Sequence, residues 1–74
     1  MTKIKIGHWK HFKGHDIEVL GEVKHTETEE DMVLYWHIES DGTKTQMWVR
    51  PKKMFLEKVT RDGKTMPRFR YKKG

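Results

Sequence analysis

DMVLYWHIESDGTKTQMWVR, residues Asp31–Arg50, is the stretch from which the fold can be read. Val33, Tyr35, Trp36 and Ile38 are β-formers, and Met32–Ile38 contains neither Gly nor Pro. In an extended chain Met32, Leu34, Trp36 and Ile38 share one face, and Val33, Tyr35 and His37 share the other. Both faces are largely apolar, so a central strand is expected here. Ser40-Asp41-Gly42-Thr43 follows as a hairpin turn, because glycine takes positive φ without a steric penalty. Lys44–Arg50 is the return strand, with Met47 and Val49 on one face and Trp48 on the other. Pro51 lacks the N–H that a ladder needs and ends it.

Working outward, Ile17, Val19 and Val23 alternate with Glu18, Glu22 and Lys24, the pattern of a half-buried strand over 16–24. Gly21 inside it marks a bulge or bend. His25–Asp31 reads as a polar loop or the fraying end of that strand, and the chain up to His15 as a polar N-terminal loop. On the other side, Pro51–Phe55 suits one 3₁₀ or α turn that places Met54 and Phe55 against one end of the core. Leu56–Thr60 is a short strand, Arg61-Asp62-Gly63-Lys64 a second hairpin turn, and Met66–Tyr71 the last strand, with Pro67 at an edge position. The C-terminal lysines and glycine are expected to fray. Four to five short antiparallel strands and one short turn of helix predict an all-β domain, a small barrel or a strongly bent sheet.

Seventy-four residues allow one core, and with 34% hydrophobic residues that core is small. The chain has no cysteine, hence no disulfide and no thiolate chemistry. It has no apolar run long enough to span a membrane. Met1–Ile6 shows no apolar stretch behind its lysines, so no secretory signal is expected and the expected location is the cytoplasm. The net charge of +5 is unevenly spread: residues 1–15 carry +4, residues 16–42 carry −8 and residues 43–74 carry +9. Packing the two basic ends together would give one basic and one acidic face. The plainer reading is mutual neutralisation across neighbouring strands.

Four islands form a pattern: Trp9-Lys10-His11-Phe12-Lys13-Gly14, His25-Thr26-Glu27-Thr28, Trp48–Glu57 with its Trp-Val-Arg-Pro-x-x-Met-Phe core, and Pro67-Arg68-Phe69. In this order the chain resembles the small bacterial and phage family known as domain of unknown function 1653. The resemblance covers about residues 7–69 and leaves 1–6 and 70–74 as terminal extensions of a single domain. It implies an SH3-like barrel and no established activity. Trp9 stands where that family's first island usually opens with Tyr.

Several side chains carry chemistry. His8, His11 and His15 have the spacing H-x₂-H-x₃-H, which suits metal better on a helix face than on strands, and no helix is expected there. His25 and Glu27 could support acid–base chemistry, but no activated nucleophile accompanies them, and Thr26, Glu27 and Thr28 also suit a capped turn. Arg50 and Arg68 sit beside prolines and aromatics. Each is either a ligand contact for phosphate or carboxylate, or an internal ion pair with Glu27 or Glu57. Eight aromatic residues exceed what so small a core needs, and exposed ones beside cations would make a stacking platform.

The expected function is a non-enzymatic module that binds an anionic ligand such as nucleic acid. Lys10, His11, Lys13, Arg50, Lys52, Arg68 and Arg70 are the expected contacts, with Trp9 and Trp48 as stackers. One alternative is a protein-interaction module docking on a larger bacterial or phage enzyme. Another is a small-ligand pocket formed by His11, His25, Glu27 and Arg50. No catalytic residue, metal or cofactor is expected, and an uncovered edge strand leaves a homodimer open.

Overall fold

A computed structural model describes residues 3–72. The expectations that touch Met1, Thr2, Lys73 and Gly74 lie outside that range. The chain runs as β1 (Gly7–His11), β2 (Asp16–Lys24), β3 (Asp31–Ile38), β4 (Lys44–Pro51), α1 (Lys52–Phe55), β5 (Lys58–Arg61), β6 (Lys64–Pro67) and β7 (Phe69–Tyr71). The domain is all-β, with seven strands where the turn signals marked four or five. Two of the differences have local causes. The segment expected as an N-terminal loop contains β1, whose alternation of half-buried Gly7, Trp9 and His11 with exposed His8 and Lys10 is masked by its polar residues. The expected last strand is divided at Arg68, just after Pro67, which has no N–H to continue the ladder.

Five strands form an antiparallel sheet in the order β4-β3-β2-β1-β7, and β5 pairs only with β6. β4 and β7 are both edges, so the ladder does not close and the expected barrel is an open sheet with a cap. The cap arises because Pro51 ends β4 and α1 turns the chain back over the sheet. β3 is paired on both sides, while β2 lies at the middle of the order. The bulge expected at Gly21 is present as a register shift between Val19 and Gly21. It has a consequence for side-chain facing. Ile17 and Val19 enter the core, whereas Val23, expected on the same face, is 40% exposed because the extra residue reverses the alternation.

The core comprises Ile4, Ile17, Val19, Val33, Tyr35, Phe55 and Phe69, with Trp9 packed against it. Phe55, only 1% exposed, stacks on Phe69 with ring centroids 4.3 Å apart and an interplanar angle of 7°. Trp9 meets Phe55 and Tyr71 edge-on at 5.1 and 5.5 Å. The termini are more than extensions. Ile4 is 7% exposed, and its N–H donates to Glu22 Oε2 at 3.0 Å. The indole of Trp9 donates to the Lys5 carbonyl at 2.8 Å, a bond that a Tyr at this position would make differently. Arg70 and Tyr71 belong to β7, and Lys72 N–H donates to the His8 carbonyl at 2.8 Å.

The β5–β6 hairpin contributes no buried side chain. Its turn uses Asp62 and Gly63 at φ 52° and 76°, the left-handed pair that suits a two-residue hairpin. The radius of gyration, 12.6 Å, exceeds the roughly 11 Å of a compact chain of this length, in keeping with a projecting arm.

Candidate functional site

The cap covers only part of the sheet's inner face. Cross-strand register places Ile17 opposite His37, Val19 and Trp48 opposite Tyr35, and Arg50 opposite Val33, all on that face. β1 and β7 add His11 opposite Phe69. The β1–β2 turn, closed by His11 N–H to the His15 carbonyl at 2.7 Å, brings His15 to the same end. A hollow of about 370 Å³ results, with Tyr35 and Phe69 at its floor, Arg50 and Trp48 at one wall and three imidazoles at the other.

Arg50 and Arg68 resolve differently. Arg68 Nη2 bonds Glu57 Oε1 at 2.9 Å, and this pair ties α1's exit to the β6–β7 junction. Arg68 N–H also donates to the Glu57 carbonyl at 3.0 Å. Arg50 makes no ion pair among the described residues. Its Nε, like that of Arg68, is buried without a hydrogen-bond partner, and its guanidinium carbon lies 5.6 Å from the centre of the Phe69 ring. An unpaired guanidinium held against an aromatic face is a ready anion contact. Trp48, 54% exposed, stands beside it with one flank open to solvent.

His11 is kept below the ordinary imidazole pKa, first by burial and then by the positive field of His15, Arg50, Arg68 and Lys13. Its Nδ1 accepts the Lys13 N–H at 3.1 Å, so in the neutral ring Nε2 carries the proton and is a donor. His11 and His15 ring centres are 6.0 Å apart, and those of His15 and His37 5.8 Å. The three form a row, and no metal-holding cluster occurs among the described residues. His8 lies on the opposite face of β1, bonded to Asp16 at 2.9 Å, because residues three apart in a strand point oppositely.

The remaining expected residues scatter. His25 and Glu27 sit in the β2–β3 turn, past the Arg50 end of the hollow and roughly 25 Å from its Ile17 end at 3.3 Å per residue. There His25 Nδ1 accepts the N–H groups of Glu27 and Thr28 at 3.1 and 3.4 Å, the capped turn. The pocket of His11, His25, Glu27 and Arg50 is therefore not formed; only His11 and Arg50 meet. Lys52 is engaged with Glu22 at 2.8 Å. Trp9 is packed in the core margin, whereas Trp48 is exposed. Lys10 and Arg70 are exposed neighbours across β1 and β7, and Lys13 lies over Phe12.

Tyr35, His37 and Phe69 line the hollow although the sequence marks none of them as a ligand contact. Strand alternation sets His37 beside Tyr35; the spacing His8, His11, His15 marks His15 only as part of a metal set, and its place in the hollow depends on the β1–β2 turn.

Residues 7–71 match the family described as Protein of unknown function (DUF1653). The fold is similar to the crystal structure of a protein from Bordetella bronchiseptica belonging to that family, with a TM-score of 0.81 and 28% identity over 92% of this chain and 86% of that one. No curated protein matches. Three of the four sequence islands meet around the hollow or its cap, and the fourth is the His25 turn.

Proposed function

The chain belongs to the DUF1653 family, and from that premise, which carries no activity, we propose that it is a non-enzymatic module that binds single-stranded nucleic acid through the inner-face hollow. The observation that carries this reading is Arg50: a cation without a carboxylate partner among the described residues, in a hollow that also offers the exposed indole of Trp48. A phosphate oxygen pair fits the guanidinium fork, and a base fits the open flank of the indole. The Nε2–H of His11 supplies a neutral second donor. The hollow's volume lies within the range of small-ligand sites, enough for one nucleotide. The acidic residues Glu27, Glu29, Glu30 and Asp31 lie in and beside the β2–β3 turn, past the Arg50 end of the hollow; Asp31, two residues from the Val33 that Arg50 faces, is paired with Lys24. Glu39, 3.3 Å from His37, restricts approach on one side. Such contacts hold a strand without reading its sequence.

Tryptophan fluorescence titration with short single-stranded DNA and RNA, at low and moderate salt, tests this. Quenching is expected at low salt, weakening as salt rises. It should vanish in Trp48→Phe, since Trp9 and Trp36 are less exposed. Arg50→Gln should weaken binding roughly 10- to 100-fold, the worth of a charge-assisted contact. No quenching at low salt defeats the reading.

A second reading rests on β4. Met47, Trp48 and Val49 are consecutive, exposed at 40%, 54% and 51%, and lie on an unpaired edge. Such an edge accepts an extended peptide as a further strand. An acidic peptide that protects β4 amides from exchange, where oligonucleotides do not, would favour this docking role.

A further inference from the structure

Strand pairing here matches charges in two places and opposes them in two; Lys10 faces Asp16 between β1 and β2. Lys24 lies across from Asp31 and bonds it at 2.8 Å. Lys10 lies directly across from Arg70 between β1 and β7, and Arg61 directly across from Lys64 at the tip of β5–β6. Directly opposed residues stand close, and like charges there are destabilising. All four are exposed, and none joins an ion pair among the described residues.

The two pairs are connected. β6 runs from the Arg61–Lys64 tip down to Met66 and Pro67. These residues, with Phe12, Lys10 and Arg70, line an outer groove of about 200 Å³. His11 borders both this groove and the inner hollow. The projecting hairpin buries nothing of its own, so packing does not explain its charges. Asp62 is the only acid between Lys58 and Pro67.

We infer that the two cationic pairs are a second phosphate-contact surface, along which a nucleic-acid strand continues outward from the hollow past His11 to the hairpin tip. The inference rests on the nucleic-acid reading above and adds the strand's path. A polyanion removes the repulsion within each pair, and its repeated charge suits pairs spaced along one track. A ligand with a single charge would reach only one of them.

The test compares a dinucleotide with a twelve-nucleotide single strand. The dinucleotide is read by Trp48 quenching and the long strand by anisotropy of a label at its end. The long strand should bind more tightly and with a steeper salt dependence. Replacing all four residues (Lys10→Gln, Arg61→Gln, Lys64→Gln, Arg70→Gln) should lower the magnitude of its log–log salt slope by up to about 3, at about 0.7 per lost phosphate contact. Dinucleotide quenching should be unchanged. Tm should hold, because the repulsion relieved offsets the Lys10–Asp16 attraction lost, which separates lost binding from lost folding. An unchanged slope for the long strand, or no binding of it at low salt, overturns the inference. Absence of dinucleotide quenching defeats the hollow instead, since anisotropy still reads the outer track.

Discussion

Phe55 is the residue on which the cap depends. It follows Pro51 by one turn of helix, and its ring fills the space between Phe69, Trp9 and Tyr35. Phe55→Ala is expected to cost about 3–5 kcal/mol, measured by urea unfolding. In a domain this small that is a large share of the total stability. The two arginines should separate in the same experiment. Arg68→Gln breaks the ion pair with Glu57 and should lower stability by about 1 kcal/mol or less, because that pair is partly exposed. Arg50→Gln removes no ion pair and should leave the urea midpoint nearly unchanged while weakening ligand binding. Equal loss of stability in both variants would make Arg50 structural. The sequence offered both roles for both arginines, and only their neighbours in space separate them.

At the scale of elements, the hairpins differ in how firmly the sequence specifies them. Asp62-Gly63 gives a two-residue turn because both central residues take positive φ. Ser40–Thr43 gives a wider loop in which only Gly42 is left-handed, at φ 88°, and Asp41 accepts the Thr43 N–H at 2.9 Å. Gly63→Ala should cost about 1–2 kcal/mol, the penalty of a side chain in the left-handed region. Because the arm pairs with no other strand, the loss should appear as faster amide exchange in β5 and β6, with β1–β4 unaffected. Exchange rising throughout the sheet would show that the arm is coupled to the core. Most of these elements were legible: the Asp31–Arg50 hairpin, the bulge at Gly21, the turn after Pro51 and the tip at Asp62-Gly63. β1 was not, since a strand whose inward residues are Gly7, Trp9 and His11 has almost no apolar signature.

For the whole molecule, acid should lower the stability of the domain in two stages. His11 has its pKa lowered on folding by burial and neighbouring cations, so the unfolded chain takes up its proton first. Its contribution is complete above the unfolded value of 6.5 and declines as pH falls through the lower folded value. Asp16, Glu22, Asp31 and Asp41 are also lowered: Asp16 by a bond from His8, Glu22 by Lys52, Asp31 by Lys24 and Asp41 by Thr43. Their contributions are present above their unfolded values of 4.5 or 3.8 and are lost as pH falls through the depressed ones. Urea midpoints should therefore be flat above about pH 7, fall first below 6.5 and fall again below 4.5. His11→Gln should remove the first decline and keep the second. A first decline that persists in that variant would assign it to other groups.

The sequence by itself determined the all-β class, most strand positions and the turn types, because alternation, β-branching and left-handed glycine are properties of neighbours along the chain. It also supplied the family resemblance and the basic and acidic segments. The tertiary structure decided what those segments meet. Whether Arg68 finds Glu57, whether Arg50 stands unpaired, and whether His25 joins His11 all depend on register across strands and on the turn that carries Phe55 over the sheet. The closed barrel gave way to an open sheet for the same reason. Closure needs β4 and β7 to meet, and both stay edges because Pro51 ends β4 and α1 turns the chain back over the sheet. Ion pairs and hollows are long-range facts of the folded chain, and residue order alone does not contain them.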